Sequence, residues 1–181
     1  MAFSSVHEMI DLCKESGKPL YEVILESDLA ESGLTRAESE AEMHRLWAVM
    51  QATSDGYCGA DRSMSGFAGG DAAKVNAAAA RGVLYADGYF ADVMAEALKT
   101  AECNACMKRI VAAPTAGSCG VLPAVLPPLQ RRRLADDVAV HRALYIAAGL
   151  GPVVAPRATL PRAAGRRPAR GDLGRGLRVH L

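Results

Sequence analysis

Three observations predict an all-α fold, a helical domain with glycine-rich substrate loops and a disordered basic C-terminal tail. Apolar residues recur at helical spacing behind patterns that start helices. Hydrophobic residues make up 50% of the chain and aromatic residues only 5%, so the core rests on Ala, Leu, Val, Met and Ile, which suits packed helices. The charge is unevenly divided: residues 1–130 hold 10 Lys and Arg against 17 Asp and Glu, whereas residues 131–181 hold 11 Arg against 3 Asp. Residues 1–151 are therefore expected to fold as one domain. Residues 152–181 are expected to be irregular, because Arg, Pro, Gly and Ala supply 20 of the last 30 positions and periodicity disappears.

The first helix is expected behind the capping box Ser5-x-x-Glu8, with Val6, Met9, Ile10 and Cys13 on its apolar stripe and Gly17 as its stop. Pro19 suits the first turn of a second, short helix that buries Leu20, Val23 and Ile24 and ends at Gly33. A second capping box, Thr35-x-x-Glu38, opens the clearest helix, which buries Met43, Leu46, Trp47 and Met50 and keeps Glu38, Glu40, Glu42 and Arg45 wet as far as about Ser54. A polar, glycine-dense connection from Asp55 to Asp71 precedes an Ala-rich helix from about Ala72. The next helix enters near Asp87 with Phe90, Val93, Met94, Ala97 and Leu98 at helical spacing. Ile110 to Ala113 reads as a short extended segment or a buried turn, and a helix containing Val121, Leu122 and Val125 is expected to be cut at Pro127-Pro128. Asp136 to Ala148 is expected to form the last helix.

Composition also excludes. Five cysteines in a chain with no secretory pattern at its start argue against a disulfide framework, and the longest apolar run, Val121 to Leu129, is too short and too Pro-broken to span a bilayer. A cytoplasmic protein with reduced thiols and no membrane partner is expected. The basic tail lacks interleaved aromatics for base stacking, so nucleic acid is not expected as a partner. His7, His44, His141 and His180 have no metal-like spacing, and His44 reads as a partly exposed structural residue.

Two loops stand out. Thr115, Ala116, Gly117, Ser118, Cys119 and Gly120 follow Pro114 and open a helix, so that small residues, hydroxyls and a thiol surround amides free to turn inward. Ser65, Gly66, Phe67, Ala68, Gly69, Gly70 and Asp71 repeat that logic before the Ala-rich helix; Asp71 is expected to cap it and Lys74 to emerge one turn later. Both loops are candidates for holding a small carboxylate, or are simply tight turns. Neither has the spacing of a nucleotide-binding P-loop. Cys103 and Cys106 form a CxxC without a second pair, which makes them weak metal candidates beside their reading as buried packing thiols.

The segments Ser65 to Lys74 and Asn104 to Ala124, with the stretch Arg142 to Gly151, resemble the α chain of iron–sulfur L-serine dehydratases. The resemblance implies conversion of L-serine to pyruvate and ammonia at a 4Fe-4S cluster, an α chain that works with a β chain or β domain in an oligomer, and both loops as substrate contacts. Lys74 is the candidate base or carboxylate partner. The family places its cluster cysteines downstream of the second loop, the first in a Gly-Cys-Gln segment; here no cysteine follows Cys119 and Gly165-Arg166-Arg167-Pro168 stands near the expected place. The expectation is a chain whose cluster-binding end is truncated or frame-shifted and that does not bind the cluster alone. A cysteine desulfidase-type lyase and a catalytically inactive helical subunit are the alternatives.

Overall fold

The computed structural model describes residues 3–84, 88–112, 119–154 and 178–180. The described elements are helices α1 (Val6–Ser16), α2 (Leu20–Ser32), α3 (Arg36–Asp55), α4 (Asp71–Ala80) and α5 (Gly88–Ala105), strand β1 (Ile110–Ala112), helices α6 (Val121–Arg131) and α7 (Asp137–Val154), and strand β2 (Arg178–His180). The chain divides into two units, each treated by itself: one reaches Arg45 and resumes at His141, and the other runs from Leu46 to Val140 and takes in the strand at Arg178.

In the first unit the helix starts follow local chemistry. Ser5 caps α1 by accepting from the Glu8 amide at 3.2 Å, but the Glu8 carboxylate reaches back to the Ser4 amide (2.8 Å) and hydroxyl (2.6 Å), so the reciprocal half of the expected box slips by one residue. Thr35 and Glu38 form the complete box, with the Thr35 amide donating to Glu38 at 2.8 Å and the Glu38 amide to the Thr35 hydroxyl at 3.3 Å. Pro19 stands at the N-cap of α2 rather than inside its first turn. Gly17 and Gly33 end α1 and α2 at φ 67° and 71°, a conformation that glycine adopts without strain. The core of this unit packs Met9, Ile24 and Val153 with Phe3, Leu20, Ile146 and Leu150. Val6 and Ile10, expected on the buried stripe of α1, are exposed, and Met9 alone on that helix is buried. Buried Ser39 donates to Asp28 at 3.2 Å, so its oxygen accepts the Tyr145 hydroxyl at 3.1 Å and joins α2, α3 and α7.

Helix α7 continues past Ala148, through Gly149 and Pro152, to Val154. Close packing explains why Gly149 sits there: a Cβ would stand 2.7–2.8 Å from three side-chain atoms of buried Ile24.

The second unit departs further from periodicity. The apolar stripe read in α5 is not its buried face: Phe90 and Met94 are exposed, whereas Ala91, Ala95, Glu96, Thr100, Glu102 and Cys103 are buried. Small residues permit close approach, since a Cβ at Gly120, the first residue of α6's entry, would lie 3.0 Å from the Ala97 carbonyl oxygen. Helix α6 is not cut at Pro127-Pro128 but runs through both. Each proline removes a ladder hydrogen bond at about 3 kcal/mol or more, offset by the burial of Pro123, Ala124, Leu126, Pro127 and Pro128. The buried Glu96 carboxylate pairs with Lys99 at 2.8 Å and with Arg131, whose guanidinium also donates to Ser54 at 3.2 Å, tying the end of α3 to α5 and α6. Ile110–Ala112 is extended and pairs antiparallel with Arg178–His180, Ile110 opposite His180. That strand falls within the segment expected to be irregular; the remainder of 155–181 lies outside the described residues.

Gly149→Ala is expected to lower stability by about 1–3 kcal/mol through overpacking against Ile24, read as a shifted urea midpoint at unchanged slope; an unshifted midpoint contradicts the close approach.

Candidate functional site

The glycine-rich connection builds a turn before it builds a helix. The Ser63 amide donates to the Ala68 carbonyl at 2.9 Å, the Ala68 amide to the Ser63 hydroxyl at 3.1 Å, and the Gly66 amide to the Ser63 carbonyl at 2.8 Å. The chain then passes through two successive left-handed residues, Gly69 (φ 131°) and Gly70 (φ 87°). Only glycine serves here: besides the backbone conformation, a Cβ at Gly69 would collide with the Asp61 carbonyl oxygen. The double turn points three successive amides, of Gly70, Asp71 and Ala72, at one spot at the start of α4.

A carboxylate of the protein occupies that spot. Glu102, buried on α5, accepts from Gly70 at 2.9 Å, Asp71 at 2.7 Å and Ala72 at 3.3 Å, and from the Tyr57 hydroxyl at 2.6 Å. Its charge is met by amides and by the positive end of α4. The Gly70 and Asp71 amides, read from the sequence as candidates for a ligand's carboxylate, are bonded within the fold to Glu102. Asp71 does not cap α4 with its side chain; Gly70 is the N-cap, and Glu102 supplies the acceptor from another helix. Sequence reasoning missed Glu102 and Tyr57. The available signal was an acid seven residues beyond Ala95 on one helix, in register with its buried face.

The other expected residues fall around this clamp. Ser65 is exposed, its hydroxyl 3.1 Å from that of Ser63. Lys74 emerges one turn into α4 as expected, exposed and paired with Asp71 at 2.7 Å. Thr115, Ala116, Gly117 and Ser118 lie outside the described residues. Cys119 is buried in a cluster with Cys103, Ile110 and Ala112, against which Tyr57 packs, and Gly120 opens α6. In the first unit His44 is exposed, its ring 3.9 Å from that of His141.

Beside the clamp, the side chains lining a recess include Tyr57, Glu102, Cys58, Cys103, Cys106 and the Asp61–Lys108 pair. Burial, then the bond to Glu102, pushes the Tyr57 hydroxyl up to about 12. Burial pushes the Cys103 and Cys119 thiols up, and Cys103 donates to the Thr53 carbonyl at 3.8 Å. The hydrogen bond to Asp61 raises Lys108. Although three thiols border the recess, no group of three or more His, Cys, Asp or Glu side chains among the described residues is placed to hold a metal ion. Cys103 and Cys106 supply two thiols, fewer than the four ligands that a four-iron cluster takes.

The sequence model of the serine dehydratase alpha chain family matches residues 15–165, and the chain belongs to that family. The L-serine dehydratase alpha chain of Peptoniphilus asaccharolyticus is 31% identical over 163 residues, covering 90% of this chain and 56% of its own length. The probable L-serine dehydratase alpha chain of Bacillus subtilis (strain 168) is likewise 31% identical over 163 residues, covering 90% and 54%. L-serine dehydratase TdcG of Escherichia coli (strain K12) is 28% identical over 170 residues, covering 87% and 36%. The chain thus spans about half the length of the first two relatives or less of the third. No solved structure matches it. Among the described residues no helix is long and apolar enough to cross a membrane.

Exposed Cys58 is expected to react with a disulfide reagent at pH 8 at least about tenfold faster than Cys103 and Cys119, whose burial and raised pKa withhold the thiolate; cysteine-resolved mass spectrometry reads the order. Because the fold raises Tyr57 from 10.0 to about 12, the hydroxyl's contribution to stability is complete below pH 10 and lost as pH rises through 12. Ultraviolet titration should find a tyrosine ionising at about pH 12 that is missing from Tyr57→Phe, and the same variant should flatten the alkaline loss of stability.

Proposed function

We propose that this chain is the α-chain part of an L-serine dehydratase, an ammonia-lyase that works with a β chain or β domain in a cytoplasmic oligomer. The family match over residues 15–165 carries the reading. The reaction removes the Cα proton and the Cβ hydroxyl of L-serine; the resulting aminoacrylate tautomerises and hydrolyses to pyruvate and ammonia. A poor leaving group and a weakly acidic Cα–H make orientation and charge placement the protein's main tasks.

In this reading the loop from Ser65 to Asp71, with Thr115 to Gly120, recognises the substrate. Ser65 and Gly66 stand on the exposed side of the first loop, and Lys74 brings a cation to it, which suits a carboxylate partner better than a base. The Gly70 and Asp71 amides serve the loop's shape. The 4Fe-4S cluster implied by the resemblance is part of the proposed whole enzyme, where it would supply a Lewis acid for the substrate hydroxyl.

The occupied amides favour one second reading, a helical subunit without catalysis of its own. Co-expression with a β chain, anaerobic reconstitution with iron and sulfide, and a coupled pyruvate assay separate these. Pyruvate from L-serine is expected, with Lys74→Ala raising KM about 3–10-fold at little cost in kcat, as for loss of uniform binding. Faster sulfide release from L-cysteine supports a desulfidase instead, and absence of both products supports the inactive subunit.

A further inference from the structure

The Gly-Gly-Asp-Ala segment has the geometry of an anion-binding helix start, yet its guest belongs to the chain itself. Four donors converge on the Glu102 carboxylate: Asp71 and Ala72 on one oxygen, Gly70 and Tyr57 on the other. Glu102 forms no ion pair among the described residues, so the clamp is built from amides, a hydroxyl and the α4 dipole. Such an arrangement fixes the exit of the loop, because the three amides that follow Gly69 are tied to a side chain of α5.

We propose that Glu102, seconded by Tyr57, is a positioning residue that holds the glycine-rich loop in the shape in which it meets substrate, and that L-serine's carboxylate does not use the Gly70–Ala72 amides. The substrate part rests on the functional reading above; the clamp does not. A small free carboxylate competes poorly with Glu102, which is tethered to α5 and pays no association entropy. Chemistry separates the variants. Glu102→Gln keeps an acceptor oxygen for Asp71 and Ala72 but turns an amide N–H toward the Gly70 N–H, while the Tyr57 hydroxyl can rotate to accept. Glu102→Ala empties the site and leaves room for acetate.

The test is hydrogen exchange at residues 70–72 in the full chain, followed by kinetics of the assembled enzyme. Glu102→Gln should speed exchange at Gly70 about tenfold or more and less at Asp71 and Ala72, and Glu102→Ala should speed all three. Acetate should restore protection to Glu102→Ala where chloride at equal ionic strength does not. If Glu102→Ala fails to fold, the Gly70-selective effect of Glu102→Gln decides the matter. Equal exchange in wild type and variants overturns the clamp. In the assembled enzyme Glu102→Gln should raise KM for L-serine more than it lowers kcat; unchanged KM with altered exchange overturns the positioning role. A wild-type assembly that leaves L-serine untouched defeats the functional reading, and the exchange result still decides the clamp.

Discussion

A buried carboxylate without a cationic partner must find its compensation in hydrogen-bond donors, and in the second unit of this protein that requirement organises the surrounding chain. Glu102 meets it with three consecutive amides and a tyrosine hydroxyl. The chain enters these amides through two successive positive-φ residues, Gly69 and Gly70, a path that glycine follows without strain. Position 69 also has no room for a side chain against Asp61. The glycine-rich loop is therefore tied to a residue about thirty positions away, and Tyr57, two residues past the end of α3, completes the donor set.

The same unit handles a second buried acid differently. Glu96 is neutralised by two cations, Lys99 from its own helix and Arg131 from α6, and the latter extends to Ser54. One acid thus binds helices together through charge, and the other binds a loop to a helix through backbone dipoles. The small residues of α5 make both possible, because bulky apolar groups on that face would keep the partners out of reach. Phe90 and Met94 point to solvent accordingly.

Local signals proved legible where the chemistry is local. The Thr35 box, the stops at Gly17 and Gly33 and the buried stripe of Met43, Leu46, Trp47 and Met50 all follow from neighbours within a turn or two. Legibility failed where burial depended on distant partners. In α1, Val6 and Ile10 share a stripe with Met9 yet remain exposed. In α6, prolines that break isolated helices persist because the face carrying them is buried, and in α7 Gly149 and Pro152 are passed without interruption. That the loop before α4 turns successive amides inward was readable; that Glu102 meets them was not, since nothing in the loop's own residues names a partner on another helix.

The order of residues determined by itself the helical class, the helix starts, the glycine turns and the kinship with serine dehydratase alpha chains, because each is written in short-range spacing or in a contiguous motif. Tertiary structure decided which face of α5 is buried, how far α6 and α7 run, that Ile110–Ala112 finds a strand partner, and that Glu102 fills the amides at the start of α4. Those outcomes depend on which surfaces meet, and a packing or hydrogen-bonding partner brought from far along the chain outweighs the few kcal/mol of local preference that a sequence pattern expresses.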